Sequence, residues 1–171
     1  MLGPMGPDEF AKRVFSYFET IHREVFAGDP AANPALRVEV VGVAVAHDTP
    51  VLVVITPWTL AGLAYLPEDG LPSSLRVGPS HHPVLANRVE GIGDYLSVVL
   101  VPDVSGYLGQ ADVRNAAEGL AEKFRAAVEK ARERMTEVAD GSRRSLLTSI
   151  KPESRTIRRS ASPFGEPSDA Q

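Results

Sequence analysis

The chain has 171 residues, of which 43% are hydrophobic and 23% are charged, and its formal net charge is −4 at pH 7. The absence of cysteine excludes disulfides, thiolate zinc sites, iron–sulfur clusters and cysteine nucleophiles. No apolar run is long enough to span a membrane, and the N-terminus lacks the pattern of a secretory signal. We therefore expect one globular domain that is cytoplasmic and not inserted into a membrane.

The charge is unevenly distributed along the chain. Residues 142–171 carry six lysines or arginines and three acids, a net charge of +3, so residues 1–141 carry −7. An acidic body is poorly suited to nucleic acid, because affinity for phosphates rests on Lys and Arg. It is better suited to a basic peptide.

The N-terminal region predicts a flexible lead followed by a helix. Residues 1–7 contain Gly-Pro breaks. Asp8 is the predicted N-cap and Gly28 the predicted stop. The stripe of apolar residues that would pack on the domain is Phe10, Val14, Phe18, Ile21 and Val25.

The next segments predict two strands and a short helix. Residues 36–45 alternate valine with other residues, as in a strand. Residues 51–55 are wholly apolar, which predicts a central strand covered on both faces. Residues 58–66 predict a short helix.

Three further strands are predicted downstream. A brief strand is expected at residues 75–77, within a segment rich in Gly, Pro and Ser. Residues 87–92 and 95–101 predict two strands of a hairpin, joined at the Gly91-Ile92-Gly93-Asp94 turn.

The C-terminal part predicts a long helix and a disordered tail. An apolar stripe rich in alanine and valine runs from Val113 to Val138, and the helix is expected to end near Gly141. Residues 151–171 are polar and lack a period, so we expect disorder. The whole predicts an α+β domain over residues 8–150, with a mostly antiparallel sheet of four to five strands and an N-terminal and a C-terminal helix.

The residues that most favour enzymatic chemistry are His81, His82 and Asp94. Adjacent histidines in an extended segment point to opposite sides, unlike the one-sided pair that zinc enzymes place on a helix. A metal-assisted hydrolase that uses these three residues stays open as an alternative function, as does a structural scaffold protein. The other interpretation of the two histidines is a solvent-exposed pair in a loop. Our expectation is a protein that is not an enzyme, with no metal and no cofactor.

An aromatic residue after a predicted strand is the second candidate feature. Thr56 and Pro57 precede Trp58, the only tryptophan, at the end of the apolar run. Trp58 is either a core residue or an exposed anchor for a partner, and Tyr95 has the same two interpretations.

Four acidic residues form a third candidate feature. Glu68, Asp69, Glu90 and Asp94 are either solvated loop charges or, on one face, a site for arginines of a peptide.

Four segments, in order, resemble the assembly chaperones of [NiFe] hydrogenases of the HybE/HupJ type. They are Asn33–Gly42 (NPALRVEVVG), Val54–Trp58 (VITPW), Gly91–Ser97 (GIGDYLS) and Gly141–Leu147 (GSRRSLL). The similarity extends from Phe10 to Leu147.

This resemblance implies a chaperone that holds hydrogenase subunits before assembly and export, in particular the small subunit with its twin-arginine leader. It implies Thr56, Pro57, Trp58 and Tyr95 as partner-binding residues, with Arg143 and Arg144 as a second group.

The segment Ser142–Leu147 itself has the residue order of a twin-arginine leader. It is therefore either an imitation of the ligand or a helix C-terminus in which the arginines complement the dipole.

Overall fold

A computed structural model describes the backbone of residues 5–65 and 70–161, without the side chains of Arg143 and of residues 145–161. The chain divides into two compact units, residues 1–133 and 134–171. The predicted domain boundaries at residues 8 and 150 stay predictions.

The first unit is built on a five-stranded antiparallel sheet with strand order β1-β2-β3-β7-β6 and a separate hairpin of β4 and β5. The strands are β1 Glu39–Ala46, β2 Thr49–Thr56, β3 Thr59–Tyr65, β4 Ser74–Val77, β5 Ser80–Pro83, β6 Leu85–Val89 and β7 Gly93–Val101.

Two helices complete the described fold. Helix α1 (Pro7–Ile21) continues as a π-helical turn (His22–Phe26), and α2 covers Gln110–Ala161. Phe10 and Val14 of α1 pack on one face of the sheet, while Val113 and Phe124 of α2 pack on the other. The predicted α+β class, with an antiparallel sheet between an N-terminal and a C-terminal helix, is confirmed.

Strand β2 holds the two hydrophobic layers together. All its residues are buried, because alternate side chains enter opposite layers: Val53 and Ile55 face the α2 layer, and Leu52 and Val54 face the α1 layer. The prediction of a central strand covered on both faces is confirmed.

The short helix predicted over residues 58–66 is wrong, because this segment forms strand β3. Gly62 lies in the strand where the ring of Phe124 crosses it, and a Cβ there would lie 2.8 Å from ring atoms. The absence of a side chain at Gly62 therefore lets the Phe124 ring of α2 pack against the sheet. This is a tertiary effect, which helix propensity does not include.

The predicted N-cap at Asp8 is wrong, because helix α1 begins two residues earlier, with Gly6 as N-cap and Pro7 as its first residue. Proline is favoured there because the first helical N–H groups have no partner within the helix. The predicted stop at Gly28 is confirmed, since the chain leaves the helix at Ala27 and Gly28 has φ +74°.

The helix end predicted near Gly141 is wrong, because α2 continues to Ala161. One glycine costs a helix only about 1 kcal/mol, which neighbouring helix formers offset. The backbone of residues 151–161 is helical where disorder was predicted, and the low cost of Gly141 does not account for this part, because Pro152 lies within it. Residues 162–171 lie outside the described part.

Candidate partner-binding site

Trp58 lies in the tight turn between β2 and β3. The Thr56 hydroxyl donates to the Thr59 carbonyl at 2.9 Å and accepts from the Thr59 N–H at 3.0 Å. Thr56 and Pro57 are buried, whereas Trp58 is only half-buried. Of the predicted triad, Thr56 and Pro57 therefore form the turn, and Trp58 is the side chain that a partner can reach.

The Trp58 ring stacks on Phe26 at the end of the π-helical turn. The ring centroids are 4.0 Å apart and the planes differ by 11°. A π-helical turn takes in one more residue than an α-helical turn. Phe26 therefore takes the packing position that the α-helical stripe assigned to Val25, and Val25 is 59% exposed.

Asn33 connects three segments by hydrogen bonds at this end of the sheet. Its N–H donates to the Pro57 carbonyl at 2.7 Å, and its side-chain amide donates to the carbonyls of Val104 and Tyr107 at 3.0 and 2.9 Å. A side chain that bonds both loops holds the Trp58 turn in a fixed geometry. Asn33 lies in the first of the segments that resemble the family, but the sequence alone does not indicate this role.

Several apolar side chains are exposed around this network. Leu108 is 87% exposed. It directly follows Tyr107, whose carbonyl accepts a hydrogen bond from Asn33. Trp58 likewise directly follows Pro57, whose carbonyl also accepts a hydrogen bond from Asn33. We define the Trp58 patch as Val25, Phe26, Trp58 and Leu108. Leu108 was not among the residues predicted from the sequence. A leucine in a loop between Gly106 and Gly109, outside any predicted helix or strand, could have indicated an exposed apolar side chain.

The charges of the flanking segments are mainly negative. Residues 22–38 and 102–112 carry four acids and two arginines. The acids are Glu24, Asp29, Asp103 and Asp112. Ser105 donates hydrogen bonds to Asp103, which lower the pKa of that carboxyl and keep it ionised.

An ion pair joins β1 to the start of α2 at the same end. Arg114 donates to both carboxylate oxygens of Glu39, at 2.7 and 3.1 Å, and the Gln110 amide adds a bond of 2.9 Å. The hydrogen bonds from Arg114 are the largest effect and lower the pKa of Glu39; burial, the next largest, opposes them, and the Gln110 hydrogen bond adds to the lowering. This pair fixes the beginning of α2.

Tyr95 lies in a different environment from Trp58. It is 5% exposed and belongs to the α1-side layer, where burial, with a smaller contribution from Tyr17, raises its pKa to about 12. It pairs with Tyr65, at the far end of β3 from Thr59. At about 3.3 Å per residue this puts Tyr95 roughly 20 Å from the Trp58 turn. Its role as a partner contact stays a prediction, and the structure does not bring it together with Trp58.

The acidic candidates do not gather at the Trp58 patch. Asp94 accepts two hydrogen bonds from Arg88, at 2.7 and 3.2 Å, and Glu90 is exposed in the neighbouring turn, both at the Tyr95 end. Glu68 and Asp69 lie outside the described residues.

The second predicted group, Arg143 and Arg144, lies within α2. Arg144 is exposed, and the side chain of Arg143 is outside the described set. The interpretation of Ser142–Leu147 as a helix C-terminus is wrong, because the helix continues to Ala161. The imitation of a leader stays a prediction.

The residues of the hydrolase alternative are not joined into a site. His81 and His82 lie on β5, opposite Arg76 and Leu75, whereas Asp94 is bonded to Arg88. Among the side chains that the structure describes, no three of the metal-binding types lie together.

In the described part of the chain, helices cover both faces of an antiparallel sheet. An aromatic stack and apolar side chains are exposed at one end of this sheet. These are features of a protein-binding domain. The family model for "[NiFe]-hydrogenase assembly, chaperone, HybE" matches residues 9–149. The chain belongs to this family of assembly chaperones, as the resemblance indicated. Comparisons with curated proteins and with solved structures found no match.

Proposed function

We propose that this chain is a cytoplasmic chaperone that binds a hydrogenase subunit through the Trp58 patch before assembly and export. It acts by binding and not by turnover. The observation that carries the proposal is the half-exposed stack of Trp58 on Phe26, at the end of a sheet that lies wholly within the matched region. Among the described residues, no helix is both long and apolar enough to span a membrane.

The energetic case rests on preorganisation. Asn33 holds the Trp58 turn and the Leu108 loop, so little conformational entropy is lost when a partner docks. Trp is enriched among the few interface residues that dominate binding energy, whose truncation costs about 2 kcal/mol or more.

The small subunit with its twin-arginine leader is the partner we favour. An apolar patch flanked by more acids than arginines suits a segment in which basic residues precede an apolar run. The large subunit serves as the comparison.

Calorimetric titration tests this choice. The full chain is titrated with the small subunit carrying its leader, the same subunit without the leader, and the large subunit. We expect the first to bind at least tenfold more tightly than the other two, with an affinity that falls at higher salt. Equal binding of the small subunit with and without its leader would exclude the leader as the recognised segment. Absence of binding to either subunit would refute the function.

A further inference from the structure

The C-terminal part of α2 combines a helical backbone with a high positive charge. Residues 142–161 are helical and carry six basic residues and one acid, Glu153, a net charge of +5. This differs from the −7 of residues 1–141. Such a segment favours an anionic partner surface.

The spacing of residues makes this helix amphipathic. At 3.6 residues per turn, the positions of Leu146, Leu147, Ile150 and Ile157 fall within an arc of about 100°. Five of the six bases fall within a neighbouring arc of similar width: Arg144, Lys151, Arg155, Arg158 and Arg159. Arg143 alone falls in the apolar arc, where the long arginine side chain is tolerated at an interface.

We propose that residues 142–161 bind the surface of a membrane that contains anionic lipids, with the helix lying in the interface. Basic residues on one side and Leu and Ile on the other suit the headgroup and acyl boundary together. A nucleic acid would bind the lysine and arginine residues but would leave the apolar arc unused.

The rest of the chain explains why this contact would be a tether. An anionic surface repels a body of charge −7 within about a Debye length, roughly 8 Å at physiological salt. The basic helix is therefore the part of the chain that favours such a surface. This inference does not depend on the identity of the subunit that the Trp58 patch binds.

Vesicle flotation with the full chain tests the tether. The probes are vesicles of phosphatidylcholine alone and vesicles in which a third of the lipid is phosphatidylglycerol. We expect at least tenfold more protein on the anionic vesicles at low salt, and a loss of most of it at high salt. Equal binding to both vesicles, or to neither, would overturn the proposal.

Two full-length variants separate charge from the apolar arc. Arg155→Gln, Arg158→Gln and Arg159→Gln together remove three charges, and Ile150→Ser with Ile157→Ser removes apolar area at constant charge. Each should lower vesicle binding about tenfold. The matched control is Lys12→Gln, Arg23→Gln and Lys130→Gln, which removes the same charge from exposed positions of the first unit and should leave binding unchanged.

Either variant can also refute the proposal. If the isoleucine variant binds vesicles as well as the parent does, the attraction is electrostatic only and the interfacial helix is refuted. If the arginine variant binds the anionic vesicles as well as the parent does, the basic arc does not contact the lipid and the proposal fails.

Discussion

The two ends of the sheet hold aromatic residues that the sequence placed in one class. At one end Trp58 is half-buried and stacks on Phe26; at the other Tyr95 is buried under α1. Trp58 comes shortly after β2 and Tyr95 is the third residue of β7, and both lie in segments that resemble the same family. The difference arises because Trp58 belongs to a turn, where no layer covers it, whereas Tyr95 belongs to a strand face that α1 covers.

The sequence around an aromatic residue therefore does not show whether that residue contributes to stability or to partner recognition. Truncation of Tyr95 should act on folding, and truncation of Trp58 should act mainly on binding. The predictions below test this division, beginning with the largest effect.

Replacing Tyr95 with alanine should cost about 3 to 5 kcal/mol of unfolding free energy, because a buried ring leaves a cavity that the layer cannot fill. Denaturant unfolding measures this. Tyr95→Phe keeps the ring and should cost far less. If Tyr95→Ala were as stable as the parent but bound subunits poorly, the division between the two ends would be wrong.

Replacing Gly42 with alanine should cost about 2 to 3 kcal/mol. Gly42 lies at the bulge of β1 with φ +66°, and its added Cβ would collide with Ala121 of α2. Gly91→Ala is the control for backbone strain alone, since Gly91 has φ +95° and nothing near its Cβ. It should cost about 1 kcal/mol. Equal costs would mean that α2 does not approach β1 closely.

The burial of Tyr95 also predicts a loss of stability at alkaline pH. Its folded pKa of about 12 lies above the ordinary value of 10, so its contribution is complete below pH 10 and is lost as the pH rises through 12. Melting temperatures measured across this window should fall less steeply for Tyr95→Phe than for the parent.

The Glu39–Arg114 pair should give the smallest effect, at acid pH. Because the folded pKa of Glu39 is lowered, its contribution is present above the ordinary pKa of 4.5 and is lost as the pH falls through the folded value. Glu39→Gln should lower the melting temperature slightly at pH 7, and the difference from the parent should vanish in acid. A constant difference across this range would exclude the ion pair as the cause.

Much of the sheet could be predicted because hydrophobic patterning is local. The alternation before Ala46, the apolar run of β2 and the hairpin around Gly91 each carry their own signal. Strand β3 could not be predicted, because Gly62 is explained only by the Phe124 ring, which lies far away in sequence.

The candidate site was predicted only in part. Trp58 was singled out from its place after a strand, but Phe26 depends on a π-helical turn that no periodic pattern indicates. The role of Asn33 depends on two loops that meet only in the folded chain.

The most direct test of the proposed function is calorimetric titration of the leader-bearing small subunit into folded Trp58→Ala, with the melting temperature measured on the same sample. A loss of about 2 kcal/mol, or roughly thirtyfold in affinity, is expected, with little change in melting. Val45→Ala is the control, since Val45 is an exposed apolar residue near the opposite end of the sheet, and it should bind as the parent does. Unchanged affinity in a fully folded Trp58→Ala variant would contradict the assignment of the Trp58 patch as the binding surface.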